Sequence, residues 1–165
     1  MTQIALSAYE VSIFVHITAV VVGFGATFAE SVMFPVAINL DPRHLPYVHR
    51  LQMAINKYMA TPGLVLVLLT GIYQIEEGGF SFGDAWISAS LVIVIVLGGL
   101  IGGYFIPSDR KLGPMVEREI AAAGAGEVTL SDEYQRKAKM QGAVGALAGV
   151  LVIVAIFLMV VKPGA

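Results

Sequence analysis

The chain has 165 residues, of which 57% are hydrophobic and 13% are charged, and its mean hydropathy is +0.80. Soluble domains carry about 25% charged residues, so these values exclude a soluble globule and predict a lipid environment. The net charge is −2, and no basic run with interleaved aromatic residues is present, which argues against a nucleic-acid partner. The absence of cysteine excludes disulfides, thiolate metal sites, iron–sulfur clusters and covalently attached c-type haem.

Four apolar stretches are each long enough to cross a bilayer, which takes roughly 20 residues of helix. The sequence therefore predicts an all-α integral membrane protein, a four-helix bundle with antiparallel up-down topology, as a single transmembrane domain over residues 1–165. The spans are expected at about 9–38, 47–74, 85–106 and 132–161, and the last is expected to begin in the cytoplasm. The connection between the third and fourth spans, from Pro107 to about Leu130, is predicted to be long and polar.

The distribution of Lys and Arg predicts the orientation, because cytoplasmic loops retain positive charge. Nine of the ten basic residues lie at one end of the predicted bundle, and Lys162 alone lies at the other. Both termini are therefore expected outside and the first and third connections inside, in a bacterial inner membrane. His44 and His49 fall near the first connection, where we expect solvated side chains.

Ionisable side chains inside a bilayer are costly and therefore mark functional candidates. The predicted spans contain His16 and Glu30 on the first helix and Lys57 near the inner boundary of the second. His16 and Glu30 lie roughly 21 Å apart along the helix at 1.5 Å per residue. The helical repeat places both residues on nearly the same face of the helix. The residues of this face are small or polar, so we expect it to contact protein.

Glu30 and Lys57 are expected at similar depth, because the first helix descends as the second rises. Pro35 and Pro62 each remove a backbone hydrogen bond nearby, and broken backbone at membrane depth needs water or polar partners. The sequence therefore predicts a hydrated, cytoplasm-facing polar pocket lined by Thr27, Glu30, Ser31, Asn56, Lys57 and Thr61. A purely structural salt bridge between Glu30 and Lys57 is the alternative interpretation.

His16 has three candidate roles: a haem or metal ligand, a proton carrier, or a neutral histidine bonded to a neighbouring helix. Met159 lies at a similar depth in the fourth span and is the candidate partner for a His/Met ligand pair. Methionine in an apolar helix also serves in packing, which is the alternative role for Met159.

Glycines recur at four-residue spacing in the third and fourth spans, a pattern that permits close helix approach. The pairs are Gly98 with Gly102, Gly99 with Gly103, and Gly145 with Gly149. They are interpreted as helix-packing positions, either between the third and fourth spans or between two chains in a homodimer.

Two segments resemble a broad group of small bacterial four-helix membrane proteins: VHITAVVVGFGATF, which contains His16, and HRLQMAINKYMATPGLVLVLLTGIY, which begins the second span. The group includes the copper-resistance D-like proteins and the membrane protoporphyrinogen oxidase of the J type. The shared pattern is an early histidine followed by glycines, then an arginine, a Thr-Pro and a Thr-Gly. Here the matching positions are His16, Gly23, Gly25, Arg50, Thr61, Pro62, Thr70 and Gly71.

The resemblance implies a haem-associated or copper-related membrane function, with His16 as the ligand and haem b as the candidate cofactor. The third span contains no lysine or histidine, in contrast to the haem-dependent oxidase, so enzyme activity of that type is not expected. The apolar helices also lack the Met/His clusters that soft copper favours.

Three hypotheses of function follow from the sequence. The first is an inner-membrane protein that binds haem or a metal through His16, or that serves as an accessory subunit of a membrane redox complex. The second is a transport or ion-coupling component that uses the Glu30 pocket. The third is a structural helix-packing partner without a ligand. The partners are the lipid bilayer and, depending on the hypothesis, other membrane subunits or a second copy of the chain.

Overall fold

Six α-helices follow the chain in the computed structural model, which describes residues 6–164. They are α1 (Ala8–Ile38), α2 (Leu45–Ile55), α3 (Thr61–Glu77), α4 (Ala85–Leu100), α5 (Ile106–Ala123) and α6 (Asp132–Val161). One π-helical turn, Asn56–Ala60, joins α2 to α3, and a second, Ile101–Phe105, joins α4 to α5. Residues 1–5 and 165 lie outside the described range.

Four continuous helical segments are long and apolar enough to cross a membrane: Ala8–Ile38, Pro42–Glu77, Ala85–Ala123 and Asp132–Val161. This confirms the predicted class, an all-α membrane bundle. Which end faces the cytoplasm stays a prediction from the distribution of Lys and Arg. The end that carries both termini is called the terminal end below, and the opposite one the basic end.

The first helix begins where its sequence supplies a cap. The Ser7 hydroxyl accepts a hydrogen bond from the backbone N–H of Glu10, and the Glu10 carboxylate accepts one from the Ser7 N–H at 2.8 Å. This capping box satisfies two N–H groups that a helix start otherwise leaves unpaired. At α6 the Ser131 hydroxyl accepts from the N–H of Tyr134 in the same way.

Each π-helical turn lies just before a proline, Pro62 or Pro107. Proline has no N–H, and its ring collides with the carbonyl four residues earlier in a regular helix. A wider turn accommodates this mismatch, and the Thr61 hydroxyl donates to the Asn56 carbonyl at 2.7 Å. Both helices therefore continue through their prolines instead of ending there.

The predicted polar connection after Pro107 is helical over most of its length, as α5. Helix α5 packs along α2 because it is amphipathic: Leu112 and Val116 are buried against Leu45 and Val48. The helical period of these apolar residues, not the polarity of their neighbours, decides the local structure. The basic end is therefore a packed layer of α2, α5 and the start of α6.

Large apolar side chains remain exposed around the bundle, including Phe14, Val21, Ile95 and Phe157. Exposed apolar patches of this kind are unusual on soluble monomers. In a membrane, lipid tails cover these side chains and keep them out of water. The core beneath them is small and includes Phe24, Val67, Leu97 and Val152.

A close approach between two spans joins α1 to α3 at Gly23 and Gly63. A Cβ built on Gly63 would lie 2.8 Å from the Gly23 Cα and 3.1 Å from the carbonyl oxygen of Ala19. The obstructing atoms are backbone, so no side chain can move aside to make room. Small residues at both positions are the condition for this helix contact.

Gly63→Ala is expected to destabilise the bundle by about 1–3 kcal/mol, because the added methyl group collides with the α1 backbone. Gly99→Ala is the matched control, since a Cβ there meets no described atom within 4 Å. The free energies of unfolding are compared by circular dichroism during titration with a denaturing detergent. Equal stability of the two variants would show that α1 and α3 do not pack as described.

Candidate functional site

His16 lies on the buried face of α1, directed at α3, with 8% of its surface exposed. Its Nδ1 is 2.8 Å from the hydroxyl oxygen of Thr70. Gly71 provides room for the ring, because a Cβ at that position would lie 3.5 Å from the His16 Cε1. The Thr-Gly pair thus holds one edge of the imidazole.

The hydrogen bonds of Thr70 determine which nitrogen of His16 carries the proton. The Thr70 hydroxyl lies 2.5 Å from the carbonyl oxygen of Leu66, to which it donates its single proton. With the hydroxyl oxygen as the acceptor from His16, this network assigns the proton of a neutral ring to Nδ1 and the lone pair to Nε2. Metal-ligating histidines are held in this manner, through a hydrogen bond from the other ring nitrogen.

His16 also lines an apolar cavity of about 370 Å³ at the terminal end, which we call the His16 cavity. Met159 lines the same cavity, so the two candidate ligands share one space. Its other walls are largely aliphatic and include Ile13, Val20, Leu68, Ile87 and Val94.

Two hydrogen-bond donors also border the His16 cavity. The indole Nε1 of Trp86 is buried and has no hydrogen-bond partner among residues 6–164. The ammonium group of Lys162 lies 4.5 Å from the centre of the Phe80 ring and 5.4 Å from that of Trp86. The cavity is therefore lined by an imidazole, an indole and an ammonium side chain among mostly apolar residues.

A second cavity, of about 490 Å³, lies between α1, α2 and α6 towards the basic end and is called the Glu30 cavity. Of the predicted pocket residues, it brings together Thr27, Glu30, Ser31 and Asn56. The other two are not among its lining residues. Lys57 is exposed, with its ammonium group 5.0 Å from the centre of the Tyr58 ring, and the Thr61 hydroxyl is bonded to the Asn56 carbonyl.

Glu30 forms no ion pair with Lys57 in the structure. The Lys57 side chain instead turns outwards, where it can reach the membrane surface. One oxygen of the Glu30 carboxylate is buried and lacks a hydrogen-bond partner in the described part of the chain. The expected salt bridge between the two residues is therefore wrong, and the carboxylate faces the cavity without a cation from Lys57.

Sequence reasoning missed a buried polar cluster at the basic end, formed by His49, Asp109, Tyr134 and Gln141. His49 is 1% exposed, so the expectation of a solvated side chain is wrong for it, whereas His44 is exposed. The His49 Nε2 lies 2.9 Å from the Tyr134 hydroxyl, and its Nδ1 is 3.5 Å from the Asp109 carboxylate. The Gln141 amide nitrogen donates to the same carboxylate at 2.7 Å.

The sequence contains a signal for this burial in the helical spacing of α2. Leu45, Val48, His49 and Gln52 of α2, followed by Asn56 of the π-helical turn, recur every three to four residues apart from the adjacent Val48 and His49, and all are buried. Proximity to Pro42 and Pro46 concealed the pattern, because the prolines suggested a loop. A proline in the first turn is compatible with a helix start.

The glycines predicted to pack the third and fourth spans have other neighbours. A Cβ on Gly98 would meet Leu64 of α3 at 3.0 Å, and one on Gly149 would meet Phe28 of α1 at 3.4 Å. For Gly102 and Gly145 no described atom lies within 4 Å of such a Cβ. Gly145 and Gly149 both line the Glu30 cavity, where the lack of side chains leaves open space.

The fold and the two cavities define a helical membrane protein with four spans. The sequence profile of a family described as predicted integral membrane protein, DUF2269, matches residues 10–163, and the chain belongs to this family. Comparisons with curated proteins and with solved structures gave no match. The family match supports the recognition of a small membrane-protein family, while the grouping with copper-resistance D-like proteins and the J-type oxidase stays a prediction.

Removal of the Asp109 carboxylate is expected to destabilise the protein by about 2–5 kcal/mol, because Asp109→Ala leaves the buried Gln141 amide without its acceptor and removes the carboxylate 3.5 Å from the His49 Nδ1. Glu117→Ala is the control, since it breaks the exposed ion pair with Arg50 and should cost less than about 1 kcal/mol. Detergent-induced unfolding followed by circular dichroism measures both. If the two variants lose the same stability, the polar cluster does not hold the basic end together.

Proposed function

We propose that the protein binds haem b, with His16 as an axial ligand in the His16 cavity. The observation that carries this proposal is the hydrogen bond between His16 Nδ1 and the Thr70 hydroxyl, which itself donates to Leu66. This hydrogen bond supports the proposal because it assigns the lone pair to Nε2 of a histidine that lines an apolar cavity, as a ligating histidine would need.

The ligating side chains suit haem better than a bare metal ion. A bare transition metal in a structural site takes about four protein ligands, whereas haem iron needs one or two axial ligands because its ring supplies the others. His16 and Met159 are two side chains of ligating type on one cavity, which matches the smaller number.

The remaining walls suit the rest of such a cofactor. The aliphatic residues of the cavity would contact a flat apolar ring. The Trp86 N–H and the Lys162 ammonium group are the donors available to its carboxylates. Haem would supply one-electron chemistry when bound, while these residues would hold it, orient it and exclude water.

The test is an optical titration of the purified full chain with haem in detergent or lipid nanodiscs. Saturable binding with a Soret band shifted from that of free haem is expected for the unmodified protein. His16→Ala should abolish saturable binding because it removes the ligand. Thr70→Val should weaken binding roughly 10- to 100-fold, because it removes the group that orients the ligand.

His44→Ala serves as the control, since His44 is an exposed histidine at the opposite end of the bundle. It is expected to bind haem as the unmodified protein does. Retained binding in His16→Ala, or a loss of equal size in His44→Ala, would contradict the proposal. Circular dichroism of each variant confirms that the helices are intact.

A further inference from the structure

The Glu30 cavity contains buried hydrogen-bond acceptors that the chain itself leaves unpaired. They are side-chain oxygens of Glu30, Gln52 and Gln141, each without a hydrogen-bond partner among the described residues. Gln141 is 9% exposed, and its amide nitrogen is already bonded to Asp109, which turns its carbonyl oxygen away from that carboxylate. Unpaired buried acceptors are costly, so an occupant of this cavity must bring donors or positive charge.

Phenyl rings form much of the remaining wall. Phe24, Phe28, Phe34 and Phe105 all line the cavity, together with aliphatic residues of α4 and α6. The face of an aromatic ring attracts a cation, and a cavity lined by both phenyl rings and a carboxylate suits alkylated ammonium ions. Phenyl groups also accommodate apolar substituents, which a bare metal ion does not have.

The size of the cavity distinguishes an organic ion from an inorganic one. About 490 Å³ is the volume of a small-molecule pocket and far exceeds the space of a single bare ion. Lys57, the basic residue expected to neutralise Glu30, lies outside among exposed residues. A carboxylate at membrane depth, without a cationic partner and beside apolar space, favours a ligand that is both cationic and apolar.

We propose that the Glu30 cavity binds an organic ammonium ion with apolar substituents. Glu30 is its counter-ion, the Gln141 carbonyl oxygen is a second acceptor, and the phenyl rings contact the alkyl or aryl groups. This site is separate from the His16 cavity and does not depend on haem binding. The same chemistry is present in free amphipathic amines and in amine-containing lipid headgroups.

Binding of benzyltrimethylammonium to the full chain tests this assignment. The protein is reconstituted in phosphatidylglycerol nanodiscs, which contain no amine headgroup, and radiolabelled probe is measured by equilibrium dialysis against empty nanodiscs. Saturable binding is expected, and Glu30→Gln should weaken it by at least roughly 30-fold because the counter-ion is lost. Glu30→Asp keeps the charge and should bind within about tenfold of the unmodified protein.

Glu133→Gln is the matched control, because Glu133 is exposed at the start of α6 and paired with Lys137. It should bind the probe with unchanged affinity, as should His16→Ala, which separates this site from the haem proposal. Neopentylbenzene, the neutral isostere of the probe, should not compete. The proposal is overturned by absence of saturable binding, by unchanged binding in Glu30→Gln, or by equal competition from neopentylbenzene.

A second arm distinguishes the two sources of the ligand. Phosphatidylethanolamine is added to the nanodiscs, and binding of the probe is measured again. Competition would support the site and identify the lipid headgroup as an occupant. Undiminished probe binding that still requires Glu30 would support the site and identify a free cation as its ligand.

Discussion

The contact between Gly23 and Gly63 is the constraint on which the arrangement of both cavities depends. The two helix backbones approach so closely there that either glycine would collide with the other helix if it carried a side chain. Towards the terminal end, α1 and α3 stay close enough for the His16 ring to contact the Thr70 hydroxyl. Towards the basic end, the chain before α3 forms the π-helical turn and α2. The Glu30 cavity lies there, between α1, α2 and α6.

The two cavities are lined by side chains of opposite chemistry. The His16 cavity has an imidazole, an indole and an ammonium group in its wall, which is the basis of the haem proposal. The Glu30 cavity offers a carboxylate, amide oxygens and phenyl rings, which suit a cation. Both are apolar spaces with a few polar groups, as expected for small-ligand sites within a helical bundle.

Hydropathy was sufficient to predict the class of fold, because only helices and closed barrels can pair all their backbone polar groups within a bilayer. Long apolar stretches indicate the helical class. The pattern failed at Pro107, where a proline suggested the end of a helix that a π-helical turn in fact continues. The burial of His49 beside Asp109 was equally hidden, since it depends on residues 60 positions apart in α2 and α5. The direction of the Lys57 side chain is a rotamer choice that spacing alone does not determine.

The protonation state of the His16 ring tests the central claim most directly. Nuclear magnetic resonance of the full chain with isotopically labelled histidine distinguishes a protonated from an unprotonated ring nitrogen, and a His16→Gln variant assigns the signal. The account predicts a proton on Nδ1 and none on Nε2, with this preference lost in Thr70→Val. A neutral ring protonated on Nε2 would contradict the account, because the nitrogen assigned to the ligand would then have no lone pair to offer.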